Sequence, residues 1–485
     1  MPLRIKHLQP YERLKPGDDC MHEECGVFGV YCQDSSIEPT EAAYYGLLSL
    51  QHRGQESAGI AVSKDGRIDY HKDMGLVGEA FKNGLEKLSG GIAAIGHVRY
   101  STMGDSLLCN SQPLVISSKK GQIALAHNGN LINAKELRDE MENAGAIFQT
   151  SIDSEIIASL IAKHLGDGII EAVTKTMGLL KGSYALVIMT PDMLIGVRDP
   201  KGIRPIALGR IDGAYVFASE SSAFDAIGAE FIRDLRPGEI VVADKHGLKS
   251  YQGQHAPETA LCIFEYVYFA RPDSDIDGIP VHRAREKAGE MLALTSPADA
   301  DVVAAVPDSA MPAAMGYANQ SGIPYTIALS KNRYVGRTFI QPSQGKREVS
   351  VNVKLNALKR NVRGKKLVLV DDSIVRGTTS KRIVEMLKLA GAKEVHMRIS
   401  SPPIKYPCFF GIDTSSHDQL IGAKNSVEEI RKVIGADSLH YLSIEDLLKT
   451  VEGAACNFCV GCFNGQYPED VSGLLKCGKK NLLDK

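Results

Sequence analysis

One stretch of this 485-residue chain, KLVLVDDSIVRGTTSKRIVEML, restricts the possible folds more than any other. The apolar run at 366–370 predicts a buried strand, and Asp371 and Asp372 follow it directly. The chain then turns through residues 373–377 and enters a helix that Thr378, Thr379 and Ser380 are expected to cap. A strand, a polar turn and a helix in this order are typical of an open parallel α/β sheet, which binds ligands at the carboxyl ends of its strands.

The polar groups of this stretch suit a phosphorylated sugar. Backbone N–H groups at the start of a helix suit a phosphate, and two carboxylates suit sugar hydroxyls or a magnesium-bound polyphosphate. The alternative is a plain strand, turn and helix with solvated acids. The stretch resembles the phosphoribosyl pyrophosphate (PRPP) signature of type I phosphoribosyltransferases, which implies that Asp371 and Asp372 hold the ribose hydroxyls. The resemblance also implies a 5′-phosphate site formed by Ser373, Arg376, Gly377, Thr378 and Thr379.

Two other segments fit the same site. The strand-like run VVAAVP ends at Pro307-Asp308-Ser309, where a loop could meet a pyrophosphate and its magnesium, although a simple turn explains these residues equally well. Residues 331–354 form a loop-like segment rich in basic side chains. Such a run is often a solvated face, but its position between strands favours a lid that closes over the substrate and excludes water. Its cations are Lys331, Arg333, Arg337, Lys346, Arg347 and Lys354.

The composition limits the ligands and the cellular location that this chain can have. The net charge of -2 gives no bulk attraction to nucleic acid or to anionic lipid, so an anion must meet a local site. No apolar stretch is long enough for a membrane span, and the first residues lack the apolar core of a signal peptide. The expected location is therefore the cytoplasm, where ten cysteines are better interpreted as thiols or metal ligands than as a disulfide framework.

Cys25, in HEECGVFGVYC, is either a small apolar residue entering a buried strand or a nucleophile. The pieces that favour the nucleophile lie further along: Arg99 and Thr102 in HVRYST, and Asp153 in TSIDSE. An arginine can grip a carboxylate, and an aspartate can pair with an α-ammonium group. Together with a thiol and an oxyanion hole, these groups fit an amino acid with a side-chain amide, namely glutamine.

The oxyanion hole is expected at AHNGN, where Asn128 and Gly129 are predicted to occupy a tight turn. Asn-Gly is also the commonest hairpin signal, so a purely structural turn remains an equal alternative. No histidine is an obvious base for Cys25. The α-amine of Cys25 itself, with a pKa near 8 when free, is the alternative base. That base requires removal of residues 1–24 as a propeptide.

The chain divides into a leader at 1–24, a mixed sheet-and-helix domain at 25–255, a parallel-sheet domain at 256–450 and a tail at 451–485. The linker between the two domains is expected in YQGQHAPET, residues 251–259. In the second domain, VVAAVP, IPYTIAL, KLVLVDD and EVHMRISS are predicted strands, and helical patterns such as SKRIVEMLKLAGAK separate them.

Motifs spread over nearly the whole chain resemble the family of glutamine PRPP amidotransferases: CGVFGV, QHRGQESAG, GHVRYST, AHNGN, TSIDSE, EYVYFARPDS, KNRYVGRTFIQP and VDDSIVRGTTS. The resemblance implies an α/β fold, with an N-terminal-nucleophile hydrolase sandwich (αββα) followed by a type I phosphoribosyltransferase parallel-sheet domain. It implies that glutamine, water and PRPP give phosphoribosylamine, glutamate and pyrophosphate, the first step of de novo purine synthesis.

The resemblance also assigns residues. Cys25 is the nucleophile, Asn128 with Gly129 forms the oxyanion hole, and the glutamine site comprises Arg53, which supports the nucleophile loop, with Arg99, Thr102 and Asp153. Lys331 and Arg337 join the PRPP site, and the magnesium-associated positions are Ser309, Asp371 and Asp372.

The clustered cysteines in CNFCVGC suit either zinc or an iron–sulfur cluster by their spacing alone. In the branch of the family that has both a propeptide and a [4Fe–4S] centre, the ligands match Cys262, Cys408, Cys459 and Cys462. Cys456 is then an additional thiol. The resemblance further implies a homotetramer and feedback inhibition by purine nucleotides.

Two other functions fit part of the sequence. A non-catalytic PRPP-sensing regulator would need only the second domain, but the complete glutaminase set and the lack of a basic DNA-reading segment argue against it. An amidotransferase that aminates a sugar phosphate by isomerisation would share the first domain, and the DDSIVRGTTS motif argues against it.

Overall fold

The structure is a computed structural model that describes residues 25–32, 35–100, 106–332, 355–414 and 417–477. The first part of the chain is built from antiparallel strands, and these are β1 (Gly26–Tyr31), β2 (Ser57–Lys64), β3 (Arg67–Met74), β4 (Ala93–Arg99), β5 (Leu114–Ser118), β6 (Gly121–Leu131), β7 (Gly182–Met189), β8 (Leu194–Arg198), β9 (Ala207–Ile211), β10 (Ala214–Ala218), β11 (Glu230–Asp234), β12 (Glu239–Asp244) and β13 (Gly247–Gln252).

These strands form two sheets that pack face to face. One has seven strands in the order β11-β9-β10-β1-β4-β2-β3, and the other has six in the order β13-β12-β8-β7-β6-β5. The side chains of β1 alternate between two cores, with Val27 between the sheets and Phe28 under a helix. Both faces of this strand are buried, which is why GVFGVY is an almost unbroken apolar run.

Helices cover the outer face of each sheet. They are α1 (Pro39–Ser49), α2 (Val77–Ala80), α3 (Ala134–Asn143), α4 (Asp153–His164), α5 (Ile169–Met177) and α6 (Ser222–Asp225). Helix α1 packs on the seven-stranded sheet, and α4 with α5 packs on the six-stranded sheet. Single turns of 3-10 helix lie at Leu85–Leu88, Leu108–Asn110 and Leu165–Asp167. The αββα sandwich expected from the family resemblance is confirmed.

The second part of the chain contains a parallel sheet of four strands in the order β17-β20-β21-β22. Two-residue and three-residue strands form small pairs beside it, and the full set is β14 (Leu261–Cys262), β15 (Asp275–Ile276), β16 (Ile279–Pro280), β17 (Val302–Ala305), β18 (Leu329–Lys331), β19 (Leu355–Ala357), β20 (Lys366–Asp371), β21 (Glu394–Ile399), β22 (Ser438–Tyr441) and β23 (Phe458–Cys459). The predicted parallel-sheet domain is therefore present.

The helices of this part are α7 (Val281–Thr295), α8 (Met311–Ser321), α9 (Lys359–Val362), α10 (Thr378–Leu389), α11 (Ile421–Lys424), α12 (Val427–Ile434), α13 (Ile444–Thr450), α14 (Gly461–Asn464) and α15 (Ser472–Cys477). Glu265–Phe269 is a turn of π-helix and His417–Gln419 is a 3-10 turn. Within the ranges that the structure describes, no helix is both long enough and apolar enough to cross a membrane.

Three local predictions were wrong. The run IPYTIAL supplies only an isolated bridge between Val303 and Tyr325, with β18 at its end, because Pro324 interrupts the donor pattern of a sheet strand. Strand β13 continues to Gln252, so the linker begins later than residue 251. The residue at the N-cap of α10 is Gly377, in the left-handed conformation with a φ of 84°, and the predicted capping hydroxyls occupy the first turn.

Candidate functional site

Cys25 lies at the entry to β1, half-buried, with its thiol directed to the carbonyl oxygen of Tyr100 at 3.5 Å. The following residue must be small, since a Cβ on Gly26 would lie 2.9 Å from Val98 Cγ2. Burial raises the pKa of the Cys25 thiol to about 11, and the charges of Arg99, Glu56 and Asp153 all act on it. The fold therefore gathers the predicted arginine and aspartate around a thiol that is un-ionised at neutral pH.

Arg99 ends β4 and is 2% exposed. Its Nη1 donates to Glu56 Oε1 in an ion pair whose carboxylate is only partly buried. Glu56 was not identified from sequence, although it stands in the QHRGQES motif. The loop that carries it lies close to β4, because a Cβ on Gly54 would be only 2.6 Å from Arg99 N. Thr102, the other predicted residue of this segment, lies outside the described residues.

Asn128 and Gly129 are inside β6, paired with Ala185 and Tyr184 of β7, and not at the tip of a turn. The predicted tight turn was wrong, since the strand runs on to Leu131 and Gly129 meets the sheet at a positive φ of 148°. A Cβ there would lie 2.1 Å from Ser183 O, so only glycine fits. Asn128 is 1% exposed, and among the described residues its Nδ2 has no hydrogen-bond acceptor.

A buried amide donor without a partner is costly, so its retention points to a ligand atom that accepts from it. An oxyanion hole requires such a fixed donor.

Asp153 begins α4 and is 5% exposed. It accepts the N–H of Leu131 at 2.9 Å and lies 3.5 Å from His127 Nδ1. Burial raises its pKa, but the charge and hydrogen bond of His127 and two backbone N–H groups prevail, so the pKa is lowered and Asp153 stays ionised. A buried carboxylate of this kind can pair with an α-ammonium group.

Arg53 is 1% exposed and pairs with two buried carboxylates, Glu220 and Glu265. Burial lowers the pKa of Arg53, but the charges and hydrogen bonds of the two carboxylates outweigh burial, so the net shift is upward. A Cβ on Gly26 would contact Arg53 Cβ at 3.5 Å, which places this arginine against the residue that follows Cys25. These contacts fit the supporting role that the family resemblance implies.

The second group of predicted residues surrounds a cavity of about 110 Å³ at the carboxyl ends of β17 and β20. Its lining includes Tyr268, Val306, Pro307, Ser309, Asp371, Asp372, Ser373, Ile374, Val375, Thr379 and Ser380. The two aspartates are each 7% exposed. This is the sheet edge at which the sequence predicted a phosphorylated sugar.

Asp372 is the centre of the polar contacts in this cavity. It accepts hydrogen bonds from the hydroxyls of Ser309 and, at 2.7 Å, of Ser373. Burial raises its pKa, against those hydrogen bonds and the charge of Arg285. Arg285 was not identified from sequence; it is buried, which lowers its pKa to about 10, and it donates to the carbonyls of Tyr266 and Ala270 around the π-helical turn.

Of the predicted lid at 331–354, the structure describes only residues 331 and 332. Lys331 ends β18, and its Nζ forms an ion pair with Asp308 Oδ2 at 2.6 Å beside the cavity. Arg337 and the other cations of the lid lie outside the described residues. Arg376 is half-buried in the loop before α10, and Gly377 is pressed against Ile421, where a Cβ would lie 2.8 Å from Cδ1.

The cysteines sort into two environments. Cys262 and Cys459 are register partners in the parallel pair of β14 and β23. Burial raises the pKa of Cys459 to about 12, and the nearby Cys408 adds to the rise. Burial also raises the pKa of Cys462, with Cys459 and Cys408 acting on it. Over the described ranges, however, no three His, Cys, Asp or Glu side chains are arranged as the ligands of a metal ion.

Cys456 is separate from that group. Its thiol lies beside Asp277 and Thr259, at the wall of a cavity of about 760 Å³ that Arg233, Asp234 and Cys456 help to line. The three-residue spacing in CNFCVGC therefore does not place all its thiols together.

The π-helical turn joins the two sites. Glu265 at its start pairs with Arg53 of the first domain, and Tyr268 near its end lines the cavity with the aspartates. Glu220 extends the contact by accepting from the Ser274 hydroxyl at 2.7 Å. Glu265 was not identified from sequence, because no local pattern in EYVYFARPDS distinguishes it from a surface glutamate.

Known protein families match both the antiparallel sandwich and the parallel-sheet part of the chain. A family profile described as a glutamine amidotransferase domain matches residues 97–226, and one described as a phosphoribosyl transferase domain matches residues 282–400. An amidophosphoribosyltransferase of Archaeoglobus fulgidus is 54% identical over 454 residues, covering 93% of this chain and 99% of the relative. The amidophosphoribosyltransferase of Bacillus subtilis is 51% identical over 456 residues, covering 93% and 95%.

Solved structures show the same similarity. The glutamine PRPP amidotransferase of B. subtilis complexed with ADP and GMP superposes with a TM-score of 0.86 at 50% identity, covering 92% of this chain and 98% of that one. A structure described as the allosteric regulatory enzyme of purine biosynthesis gives a TM-score of 0.87 at 50% identity, covering 92% and 97%.

Proposed function

The chain belongs to the family of amidophosphoribosyltransferases, the glutamine-dependent enzymes of the first step of purine biosynthesis, and on that premise we propose which residues perform the two half-reactions. In the first, glutamine is hydrolysed to glutamate and ammonia at Cys25. In the second, that ammonia displaces pyrophosphate from C1 of PRPP at Asp371 and Asp372. Two observations carry the first assignment: Arg99 and Asp153 act on the Cys25 thiol, and the buried Nδ2 of Asn128 has no acceptor among the described residues.

The first half-reaction needs a base. The Cys25 thiol has a raised pKa of about 11, so it must lose its proton to a neighbouring group as it attacks. We assign that role to the α-amine of Cys25, freed when the propeptide at 1–24 is removed. The thiolate attacks the glutamine side-chain carbonyl, Asn128 Nδ2 and Gly129 N–H donate to the oxyanion, and ammonia leaves with the transferred proton. Water then releases glutamate from the thioester.

Glutamine is oriented by charge. Arg99 donates to the α-carboxylate, and the ionised Asp153 accepts from the α-ammonium group, with Thr102 as the remaining family position. Glu56 holds the Arg99 guanidinium from one side, which fixes where its remaining donors lie. Arg53 keeps its supporting role through Glu220 and Glu265.

In the second site, Asp371 and Asp372, which line the cavity, would accept from the ribose hydroxyls. Of the five residues assigned to the 5′-phosphate, Ser373 and Thr379 line the same cavity. Arg376, Gly377 and Thr378 belong to the same turn and helix start and keep the role that the family resemblance implies. Lys331 and Arg337 belong to the segment that closes over the pyrophosphate. The oxygen donors Ser309, Asp371 and Asp372 suit Mg²⁺, which prefers hard oxygen ligands. When bound, that ion would neutralise the charge of the departing pyrophosphate.

The sulfur-only set Cys262, Cys408, Cys459 and Cys462 suits a [4Fe–4S] cluster, and its burial would protect such a cluster from solvent. Burial raises the pKa of the Cys262 and Cys459 thiols, and the charge of the fully buried Arg204 opposes that rise. A cation next to these thiols supports the proposal, because it favours the thiolate forms that ligate iron. When bound, the cluster would tie the C-terminal segment to the second domain. Cys456, which contacts Asp277, has no part in it.

Purine nucleotides are the proposed inhibitors, because AMP or GMP presents the same 5′-phosphate and ribose to residues 371–379. A nucleotide lacks the pyrophosphate that would gather the lid, so it holds the site open; inhibition should weaken as PRPP rises. The related B. subtilis structure contains ADP and GMP. The family resemblance also suggests a homotetramer. The composition favours the cytoplasm, and the sequence pattern favours domain limits at residues 255 and 450.

The test is to measure ammonia release from glutamine with and without PRPP, together with the N-terminal mass of the purified chain. We expect a chain that begins at Cys25, consumes glutamine and makes phosphoribosylamine from PRPP. An uncleaved chain that hydrolyses glutamine at full rate would show that the α-amine is not the base.

A second experiment tests the nucleotide inhibitors. AMP, GMP and ADP are titrated at several PRPP concentrations, and inhibition wholly insensitive to PRPP would exclude competition at residues 371–379.

A further inference from the structure

A loop of the second domain, residues 408–411, lies against the end of the strand that carries the oxyanion donors. Asn130 Nδ2 donates to Phe409 O at 2.8 Å. Ser183 Oγ donates to Phe410 O at 2.8 Å, and Arg204 Nη2 donates to the same carbonyl. Three side chains of the first domain thus converge on two carbonyls of the second.

The contact continues into the backbone beside Gly129. Ser183 Oγ also accepts the N–H of Asn130 at 3.2 Å, so this hydroxyl connects the residue after Gly129 to the loop. Asn130 is 7% exposed, Ser183 and Arg204 are 0% exposed, and Phe410 is 2% exposed. Buried hydrogen bonds of this kind hold their geometry, since breaking one leaves a buried polar group with fewer partners than it needs.

Within this loop, Gly411 lies directly against the backbone of Gly129. Its φ is +101°, and a Cβ placed on it would lie 3.2 Å from Gly129 C, 3.4 Å from Gly129 Cα and 2.9 Å from Arg204 Nη2. Any side chain at position 411 would therefore press on the backbone of Gly129 itself. The spacing leaves Gly129 between Ser183 O on the strand side and Gly411 on the loop side.

From these contacts we infer that residues 408–411 position the oxyanion hole, with Gly411 as a positioning residue of the glutaminase reaction supplied by the phosphoribosyltransferase domain. The inference rests on the proposed role of Asn128 and Gly129. It means that the amide-hydrolysing site is complete only when the two domains are docked, and that the loop bearing Cys408 is connected to it directly.

The test compares Gly411→Ala with Gly453→Ala in the full-length, processed enzyme. Gly453 has a similar φ of +96°, but a Cβ there meets nothing within 4 Å, so this control carries the backbone strain without the contact. The contacts at 3.2 and 3.4 Å require the Gly129 backbone to shift by a few tenths of an ångström. For Gly411→Ala we therefore expect kcat for glutamine hydrolysis to fall by up to about 10-fold, less than the roughly 100-fold that a 1 Å misplacement costs. The KM for glutamine should stay unchanged, and so should the rate of ammonia-dependent synthesis.

Alkylation of Cys25 by iodoacetamide separates positioning from general damage. That reaction displaces iodide from carbon and forms no oxyanion, so its rate in Gly411→Ala should equal that of the unmodified enzyme. Ser183→Ala removes the hydrogen bond to Phe410 O without adding bulk and should lower kcat for glutamine hydrolysis by a smaller factor. If Gly411→Ala does not fold, this variant tests whether the loop positions the oxyanion hole.

Two results would overturn the inference: a kcat in Gly411→Ala and Ser183→Ala equal to that of Gly453→Ala, or an equal loss of hydrolysis, alkylation and ammonia-dependent synthesis. Asn128→Ala is the arm that tests the underlying proposal. An unchanged kcat in Asn128→Ala would refute the oxyanion assignment, whereas a reduced kcat there with no effect at position 411 would refute only the role of the loop.

Discussion

Replacing Asn128 by alanine is expected to affect activity more than stability. The Nδ2 donor is buried, and among the described residues nothing accepts from it. Loss of one oxyanion donor costs about 10²–10³ in kcat, or about 2.7–4 kcal/mol of transition-state stabilisation. The folded protein loses no hydrogen bond from that nitrogen, so little stability should be lost with it.

The stability change can be worked out from two opposing terms. Leaving a polar group buried and unsatisfied costs about 1–3 kcal/mol, and Asn128→Ala removes that cost. Truncation also removes packed atoms, at about 0.8 kcal/mol for each group of methylene size. The carboxamide has three heavy atoms beyond Cβ, so truncation costs roughly 2.4 kcal/mol at most. The free energy of unfolding should therefore change by between a loss of about 1.4 and a gain of about 0.6 kcal/mol.

The control is Asn130→Ala, two residues further along the same strand. Asn130 Nδ2 donates to Phe409 O at 2.8 Å, so its loss leaves a buried carbonyl without that donor. Truncation costs both variants the same, so we expect Asn130→Ala to lose at least about 1–3 kcal/mol more in the free energy of unfolding than Asn128→Ala. The assays are urea denaturation of both variants and kcat for glutamine beside kcat for ammonia-dependent synthesis. A strongly destabilised Asn128→Ala that retains full glutaminase activity would refute the reasoning.

Four further outcomes are expected. Cys25→Ser should lose glutamine-dependent synthesis and keep synthesis from ammonia; loss of both, in a folded chain, would contradict the separation of the two sites. Asp372→Asn should abolish phosphoribosyl transfer while basal glutamine hydrolysis persists, and unchanged transfer would mean that the motif is only a turn. After anaerobic purification, Cys459→Ser should lose bound iron while the matched Cys456→Ser keeps it; a colourless parent protein with stoichiometric zinc would contradict the cluster. Burial lowers the pKa of His97 from 6.5 to about 3, so between these pH values the folded state binds fewer protons than the unfolded state, and stability should fall as the pH drops from about 6.5 towards 3. In His97→Gln, the unfolding midpoint should depend less on pH over that interval. An unchanged pH dependence would mean that another group causes the acid sensitivity.

Local sequence determined the chemistry-bearing segments. The run at 366–379 was predicted as strand, acidic pair, turn and helix because each of these depends on residues within a few positions of one another. Only the cap was wrong, since Gly377 and not a hydroxyl residue occupies the N-cap. Cys25 could likewise be placed at the start of a buried strand, since GVFGVY is apolar on both faces.

The same local reasoning failed where a distant partner decides the conformation. Asn128-Gly129 has the composition of a hairpin turn, yet pairing with β7 carries the chain straight through it. IPYTIAL has the composition of a strand, yet it makes only one bridge to β17. In both, contacts across the sheet outweigh the intrinsic preference of the segment.

Only the tertiary structure decided which groups share a site. Cys262 meets Cys459 through strand register nearly two hundred residues apart, while Cys456, three residues from Cys459, lies with Asp277 instead. Glu265 resembles any solvated glutamate in sequence, but the docking of the two domains buries it between arginines. A local pattern specifies how a segment folds and which groups it offers. The partners of those groups are set by long-range packing, because burial of a charge is tolerated only where another segment supplies its counter-charge.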